Sequence, residues 1–323
     1  MIDLLFSGVS FLTISFIFFG VAFGILVSAI PGLTTTIGVV LLLPFTYYLD
    51  SSSSLGMLMG VFVGGMAGGA IPAILINIPG NPASIVTNIN GYPLAKSGRG
   101  DFALGLALMS STIGALIGLV MLFLISPQLT DFALKFGAVE QFALVLLGLS
   151  LVSALSEKSV IKGYISMCLG LMIATVGLDP ITAIPRYNFG TVAMQQGISF
   201  IPVMIGMFAI PTILESMVIT KDFKFPTIDK NFFECIKGVT SALKEIKNSK
   251  LNVIRSSVIG AVIGAIPGTG SAIAATLSYQ LTKKIEKSSD KNRMTSQGII
   301  SPEAANSAMS GGALIPMLTL GIP

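Results

Sequence analysis

Residues 28–39 read SAIPGLTTTIGV, and residues 264–275 read GAIPGTGSAIAA. Each places Ala-Ile-Pro-Gly inside an apolar run and follows it with small or hydroxyl residues. Proline removes a backbone donor and clashes with the preceding helical turn. In hydrocarbon, freed backbone groups are tolerated only where they are buried in protein or line a cavity. The two stretches therefore predict helices that break within the membrane and restart.

Composition agrees with a bilayer setting. Of 323 residues, 53% are hydrophobic and 11% charged, against roughly 25% charged in soluble domains. The 35 glycines fit a bundle in which small residues let helices approach closely. Cys168 and Cys235 lie far apart in sequence, which argues against a disulfide framework or a thiolate metal site. No His is present, so the commonest proton shuttle and metal ligand is absent. The first apolar run, 4–30, has no basic segment before it and reads as a membrane segment, not a cleavable signal. All but six of the 19 basic residues lie between Lys221 and Arg293. Charge so localised points to cytoplasmic loops and not to nucleic acid.

Apolar runs fall near 4–30, 33–46, 55–78, 102–126, 138–155, 160–178, 194–217, 251–266, 269–281 and 304–322. A spanning helix needs about 20 residues, and the runs 33–46, 251–266 and 269–281 are shorter and bordered by Pro-Gly. Short, Pro/Gly-interrupted segments in corresponding places of two halves point to a transporter's binding site. The halves do correspond. Gly24 and Pro31 match Gly260 and Pro267 at an offset of 236. Further on, 66-MAGGA-70 matches 309-MSGGA-313, and 71-IPAILINIP-79 matches 315-IPMLTLGIP-323, with Ile71 and Ile315 at an offset of 244. Ordered matches at nearly one offset indicate a duplication. The second copy stops at Pro323, inside the matching motif, so the repeat predicts a fragment of a longer protein.

Charge supplies orientation. Seven lysines (Lys221 to Lys250) precede the pair 251–266 and 269–281, and Lys283, Lys284, Lys287, Lys291 and Arg293 follow it. Both flanks are expected in the cytoplasm, making the pair a re-entrant hairpin with its tip at Pro267-Gly268. The first copy has Asp3 before it and Asp50 after it, with no basic residue, and is expected to enter from the opposite face. The competing reading takes 4–30 as a full span. The expected fold is an all-α polytopic membrane protein of inverted repeats with Pro/Gly-broken re-entrant hairpins, the second repeat incomplete. Its divisions are 1–217, a cytoplasmic linker 218–250, and 251–323 as the start of the second repeat. Within the linker, Phe232, Ile236, Val239, Leu243 and Ile246 share one helical face over 229–248. That stripe reads either as an interfacial helix on the membrane surface or as a linker helix packed on the bundle.

A helix restarting at mid-membrane presents unpaired amides and a partial positive charge, which attract an anion. After Pro31 and Gly32 come Thr34, Thr35 and Thr36; after Pro267 and Gly268 come Thr269, Gly270 and Ser271. Hydroxyls beside free amides suit a carboxylate. The competing reading is a kink in which the hydroxyls cap backbone. The stretch 77-NIPGNPASIVTN-88 adds Asn77, Gly80, Asn81 and Ser84, amides and hydroxyls that at membrane depth must face protein, water or ligand. Glu303 and Asn306 are the second-half counterparts. Asn77, Glu303 and Asn306 are the candidates for a coupling cation, Na⁺ or H⁺. Glu303 reads alternatively as a solvated helix-start residue after Pro302. No catalytic residue, metal site or cofactor is expected. The apolar runs hold no acid/base or nucleophile pair, and 98-GRGD-101 lies in a polar loop without the Tyr-Asp partner of an intramembrane aspartyl protease. A non-transporting membrane protein, either an intramembrane enzyme or an assembly scaffold, is the alternative class; a scaffold would not need the polar tips repeated.

The stretches 29-AIPG-32, 68-GGAIPAILINIPGNPAS-84, 91-GYPLAKSGRG-100, 176-VGLDP-180, 263-IGAIPGTG-270 and 302-PEAANSAMSGGALIPMLTLGIP-323 resemble the large membrane subunit of the tripartite tricarboxylate transporters. The resemblance implies a multi-pass permease of the bacterial inner membrane. Such a permease works with a small membrane subunit and a periplasmic solute-binding protein, and it imports citrate-like tri- or dicarboxylates by symport on an ion gradient. Two positions depart from the family pattern. Leu33-Thr34-Thr35-Thr36 is more hydroxylated, and Ser307 stands where a second Asn is usual.

Overall fold

A computed structural model describes residues 10–30, 33–133, 160–179, 184–198, 232–266, 270–285 and 291–320, with scattered residues besides. Its helices are α1 (Phe11–Ala29), α2 (Thr35–Leu42), α3 (Ser51–Gly68), α4 (Ala70–Ile76), α5 (Ser84–Leu94), α6 (Gly100–Ala133), α7 (Val160–Ala174), α8 (Phe232–Asn248), α9 (Lys250–Gly264), α10 (Gly270–Ile285) and α11 (Lys291–Leu320). A 3₁₀ turn, Leu43–Tyr48, extends α2. One small antiparallel ladder, β1 (Gly177–Leu178) on β2 (Pro185–Arg186), carries an Arg186–Asp179 ion pair. The expected runs 138–155 and 194–217 lie mostly outside the described residues. Among the described residues, Phe11–Ala29, Ser51–Ile76 and Ser84–Gln128 are long and apolar enough to cross a membrane.

Glycine decides how α1 meets α3. A Cβ on Gly20 would stand within 3.0 Å of the Met57 carbonyl oxygen, and one on Gly24 within 3.0 Å of that of Val61. Gly60, Gly64 and Gly68 approach Ile17, Val21 and Ile25 in the same way. The paired numbers rise together, so α1 and α3 run parallel with their backbones in contact. The chain between them, α2 and its 3₁₀ extension, therefore returns to the end where α1 began. A hydrogen bond between the hydroxyls of Thr13 and Ser53, 3.1 Å, closes that base. Asp50 sits beside it, its carboxylate capping α3 at the Ser53 amide, 3.0 Å.

The second unit repeats these contacts. Gly260 abuts the Ala305 carbonyl as Gly24 abuts Val61, and Gly312 abuts Ala261 as Gly68 abuts Ile25. Ser249 and Gln297 are hydrogen-bonded at the base, at the positions of Thr13 and Ser53. Every pair obeys the offsets of 236 and 244. Gly68 thus matches Gly312, one residue later than the Met-x-Gly-Gly-Ala motifs align. The arms α9 and α10 have 15 and 16 residues, each shorter than the about 20 needed to span.

The two units run in opposite directions. Ile74 shares a buried cluster with Ile299, Ile300 and Ala304, whereas Met66 shares one with Ala305 and Met309. Advancing along α11 thus means retreating along α3–α4. Meanwhile α6 lies parallel to α11, with Gly114 against Ala304 and Gly118 against Ala308.

The linker helix α8 packs on α6. Its buried side is Gly238, Ala242 and Ile246, with Ala242 against Gly105 and Gly238 against Asp101. Leu243, one of the apolar stripe, is exposed. The face turned to the bundle therefore combines Ile246 of the stripe with the small residues Gly238 and Ala242, which permit the close approach to α6. The side chains of Phe232 and Ile236 lie outside the described residues. The 98-GRGD-101 segment is a kinked helix junction, with Gly98 at φ 85° and the Arg99 guanidinium 4.4 Å from the Phe102 ring centroid.

Candidate functional site

The break in α3–α4 organises the site. Pro72 lacks an N–H, so the carbonyl of Gly68 loses its helical donor. Asn77 ends α4 in a left-handed conformation, φ 61°, and is exposed. The chain then folds back beneath itself. The Gly80 amide donates to the Gly69 carbonyl, 3.2 Å, and a Cβ on Gly69 would run into the Asn81 side chain. The Asn81 carboxamide oxygen accepts from the amide and hydroxyl of Ser84, 2.9 and 2.8 Å, starting α5. Its nitrogen donates to the Met66 carbonyl, 3.2 Å.

Asn306 of α11 donates to that same carbonyl, 3.0 Å, across 240 positions. Asn306 is 0% exposed, and its own carboxamide oxygen has no partner, as have the hydroxyls of Ser301 and Ser307. An unsatisfied buried acceptor costs roughly 1–3 kcal/mol, and this one sits where the two units meet. On one side stands the first tip. Ser28 and Thr35 pair their hydroxyls at 3.3 Å, pressed so closely to Gly65 that a Cβ there would lie 2.5 Å from Thr35 and 2.9 Å from the Ser28 hydroxyl. Thr34 caps α2 with no side-chain hydrogen bond, so the first amides of α2 are not covered by it. Ala274, one turn into α10, shares the apolar cluster of Met66, which brings the start of α10 to the other side.

Of the residues singled out from sequence, Thr35, Gly80, Asn81, Ser84 and Asn306 thus assemble around the Met66 carbonyl. Thr34 is half-buried beside them, Ser271 is half-buried in the first turn of α10, and Thr36, Asn77 and Gly270 are exposed. Pro31, Gly32, Pro267, Gly268 and Thr269 lie outside the described residues. Ser28 and the Met66 carbonyl escaped the sequence reading. Ser28 stands before the Ala-Ile-Pro-Gly it belongs with, and no side-chain pattern announces a carbonyl.

Glu303 occupies a separate place. Helix α11 begins twelve residues earlier, at Lys291, so Glu303 is not a solvated helix-start residue. It is 0% exposed; Thr87 donates to one carboxyl oxygen at 2.5 Å and Ser111 to the other at 3.0 Å. Neither Lys nor Arg contacts it among the described residues. Ser111, Ser307 and Ser310 also line an apolar cavity of about 500 Å³ bounded by α1, α3, α6 and α11.

These elements define a polytopic helical membrane protein built from paired, Pro/Gly-broken hairpins with buried polar groups where the two pairs meet. The family model described as the tripartite tricarboxylate transporter TctA family matches residues 14–323, and the chain belongs to that family. A protein of Agrobacterium vitis, described as an uncharacterized 52.8 kDa protein in the TAR-I ttuC' 3' region, is 34% identical over 307 residues. That match covers 95% of this chain and 60% of the relative, so the chain spans less than two thirds of the relative's length. No solved structure matches.

Proposed function

We propose that the protein is the permease subunit of a binding-protein-dependent secondary transporter of the bacterial inner membrane that imports tri- or dicarboxylates. The observation that carries this reading is the meeting of two oppositely directed, contact-for-contact repeated hairpin units at the Met66 carbonyl. An inverted repeat of this kind gives alternating access when one bundle rocks against the other around a fixed midplane site. Carboxylates bind at the restarting ends of α2 and α10, where backbone amides and the hydroxyls of Thr34, Thr35, Thr269 and Ser271 supply donors. Glu303 and the free carboxamide oxygen of Asn306 serve the coupling ion, H⁺ or Na⁺. A small membrane subunit and a periplasmic solute-binding protein complete the system.

The test is uptake by the full-length chain with its neighbouring subunits in proteoliposomes. Labelled citrate and other di- and tricarboxylates are offered under imposed Na⁺ or H⁺ gradients, with and without the binding protein. Uptake that requires the binding protein and one gradient is the expected result. No uptake of any carboxylate by a folded preparation overturns the reading.

A further inference from the structure

Arg255 stands five residues into α9, inside what the sequence presents as an apolar run. A guanidinium within a membrane bundle is costly and ordinarily faces a carboxylate or water-filled space. The described residues place no carboxylate against it. One guanidinium nitrogen donates to the Asn252 carboxamide oxygen at 2.7 Å and to the Thr282 hydroxyl at 3.0 Å. Nε is buried with no partner, although the residue as a whole is only half-buried.

The surroundings are rich in donors and short of acceptors. The same Asn252 oxygen also accepts from Thr282, 2.8 Å, and from Ser256, 3.3 Å. Asn252 donates to Gln297, and Gln297 donates to Ser249. One neutral oxygen thus serves three donors, the guanidinium among them, while the Nε of that same guanidinium meets no acceptor. The acceptor this arrangement lacks is an anionic one, and a carboxylate takes paired N–H bonds from a guanidinium.

The architecture of the hairpin does not account for the cluster. The first unit closes its base with the Thr13–Ser53 pair, joined by Ser10 and Asp50, and the positions matching Asn252 and Arg255 are Phe16 and Phe19. The base is held without a cation there. The cluster lies where the ends of α9, α10 and α11 converge, flanked by exposed Lys250, Lys283 and Lys284, so the local field favours an anion. By lysine placement this is the cytoplasmic end.

We propose that Arg255, with Thr282 and Asn252 orienting it, is a cytoplasmic-side binding site for the carboxylate leaving the midplane. This rests on the transport reading for its cargo but not for its test. The full-length wild-type chain is placed in nanodiscs of neutral lipid, or of lipid containing phosphatidylglycerol. Phenylglyoxal modification of Arg255 is then followed by mass spectrometry with citrate, succinate, sulfate or chloride at equal ionic strength. Exposed Arg99 is the internal control. Citrate or succinate is expected to slow modification of Arg255 and leave Arg99 unchanged. In proteoliposome exchange, Arg255→Lys and Arg255→Gln are expected to raise the half-saturating substrate concentration on the cytoplasmic side about tenfold or more, as for loss of a charge-assisted hydrogen bond, with the external value unchanged. Equal protection by every anion, protection by phosphatidylglycerol alone, or no protection overturns the site. Protection by a carboxylate in a chain that takes none up overturns the transport reading and keeps the site.

Discussion

The repeated glycine contacts predict matched energetic penalties at two positions 236 residues apart. A Cβ at Gly24 would stand within 3.0 Å of the Val61 carbonyl oxygen, and one at Gly260 within 3.0 Å of that of Ala305. Backbone carbonyls cannot swing aside as a flexible side chain does. To reach ordinary contact near 3.4 Å, α1 must retreat from α3, and α9 from α11, by at least about half an ångström. A gap of about 0.5–1 Å forfeits a quarter to a half of the dispersion attraction along the seam. Overpacking of this kind costs about 1–3 kcal/mol. Gly24→Ala and Gly260→Ala should each cost that much, and the costs should add in the double variant, because the sites share no partner. Gly170, in α7, has no atom of the described residues within 4 Å of its would-be Cβ. Gly170→Ala should stabilise by up to about 1 kcal/mol through helix propensity. The assay is reversible unfolding of the full-length chain in mixed micelles of rising SDS fraction. If either seam glycine accepts alanine within about 0.5 kcal/mol, below the overpacking range, the backbone contact is not as described. If Gly24 is costly and Gly260 is not, the two units do not share one packing.

Three further outcomes are expected. Ser10→Cys and Ser52→Cys should react with an impermeant maleimide from the same side of the membrane, and Lys250→Cys and Lys284→Cys from the other; labelling of the first pair from opposite faces would refute the hairpin. Glu303→Gln should abolish accumulation against a gradient while leaving substrate exchange intact, so a Gln variant that still concentrates substrate removes Glu303 from the coupling path. At the α3 cap, hydrogen bonding from the Ser53 side chain and amide holds the Asp50 carboxyl below the usual carboxylate range. Its stabilisation is present above the ordinary Asp value of about 3.9 and is lost as pH falls through the lower folded value. The stability difference between wild type and Asp50→Ala should therefore be constant at neutral pH and shrink in acid, and a difference that grows on acidification contradicts the cap.

Much of this architecture is legible in the chain itself. Pro-Gly within an apolar run declares a broken helix, because hydrocarbon leaves freed backbone groups no solvent. Lysines around Pro267 and acids around Pro31 point to opposite entry faces, and ordered motif matches point to a duplication. The glycine–carbonyl contacts of the two units then correspond at the offsets of 236 and 244, since close helix approach repeats when the small residues repeat. Only the fold set the register within the second motif, where Gly68 corresponds to Gly312 and not to Gly311. The side of α8 that packs was likewise decided in the fold, where Gly238 and Ala242 lie against α6 together with Ile246 while Leu243 is exposed.

The polar chemistry was the least readable part. Glu303 finds Thr87 at a separation of 216 residues and Ser111 at 192, and Asn306 finds Met66 at 240. A single sequence shows that such groups exist at membrane depth but not which of them face each other, because hydrogen bonds across such separations leave no periodicity. Arg255 was in plain view within an apolar run, yet its meaning depends on what surrounds it. Composition and punctuation determined the membrane class, the broken hairpins and their duplication. Folding alone decided which donors would crowd one oxygen and which cation would face no carboxylate among the described residues, since those depend on three helix ends meeting at one point.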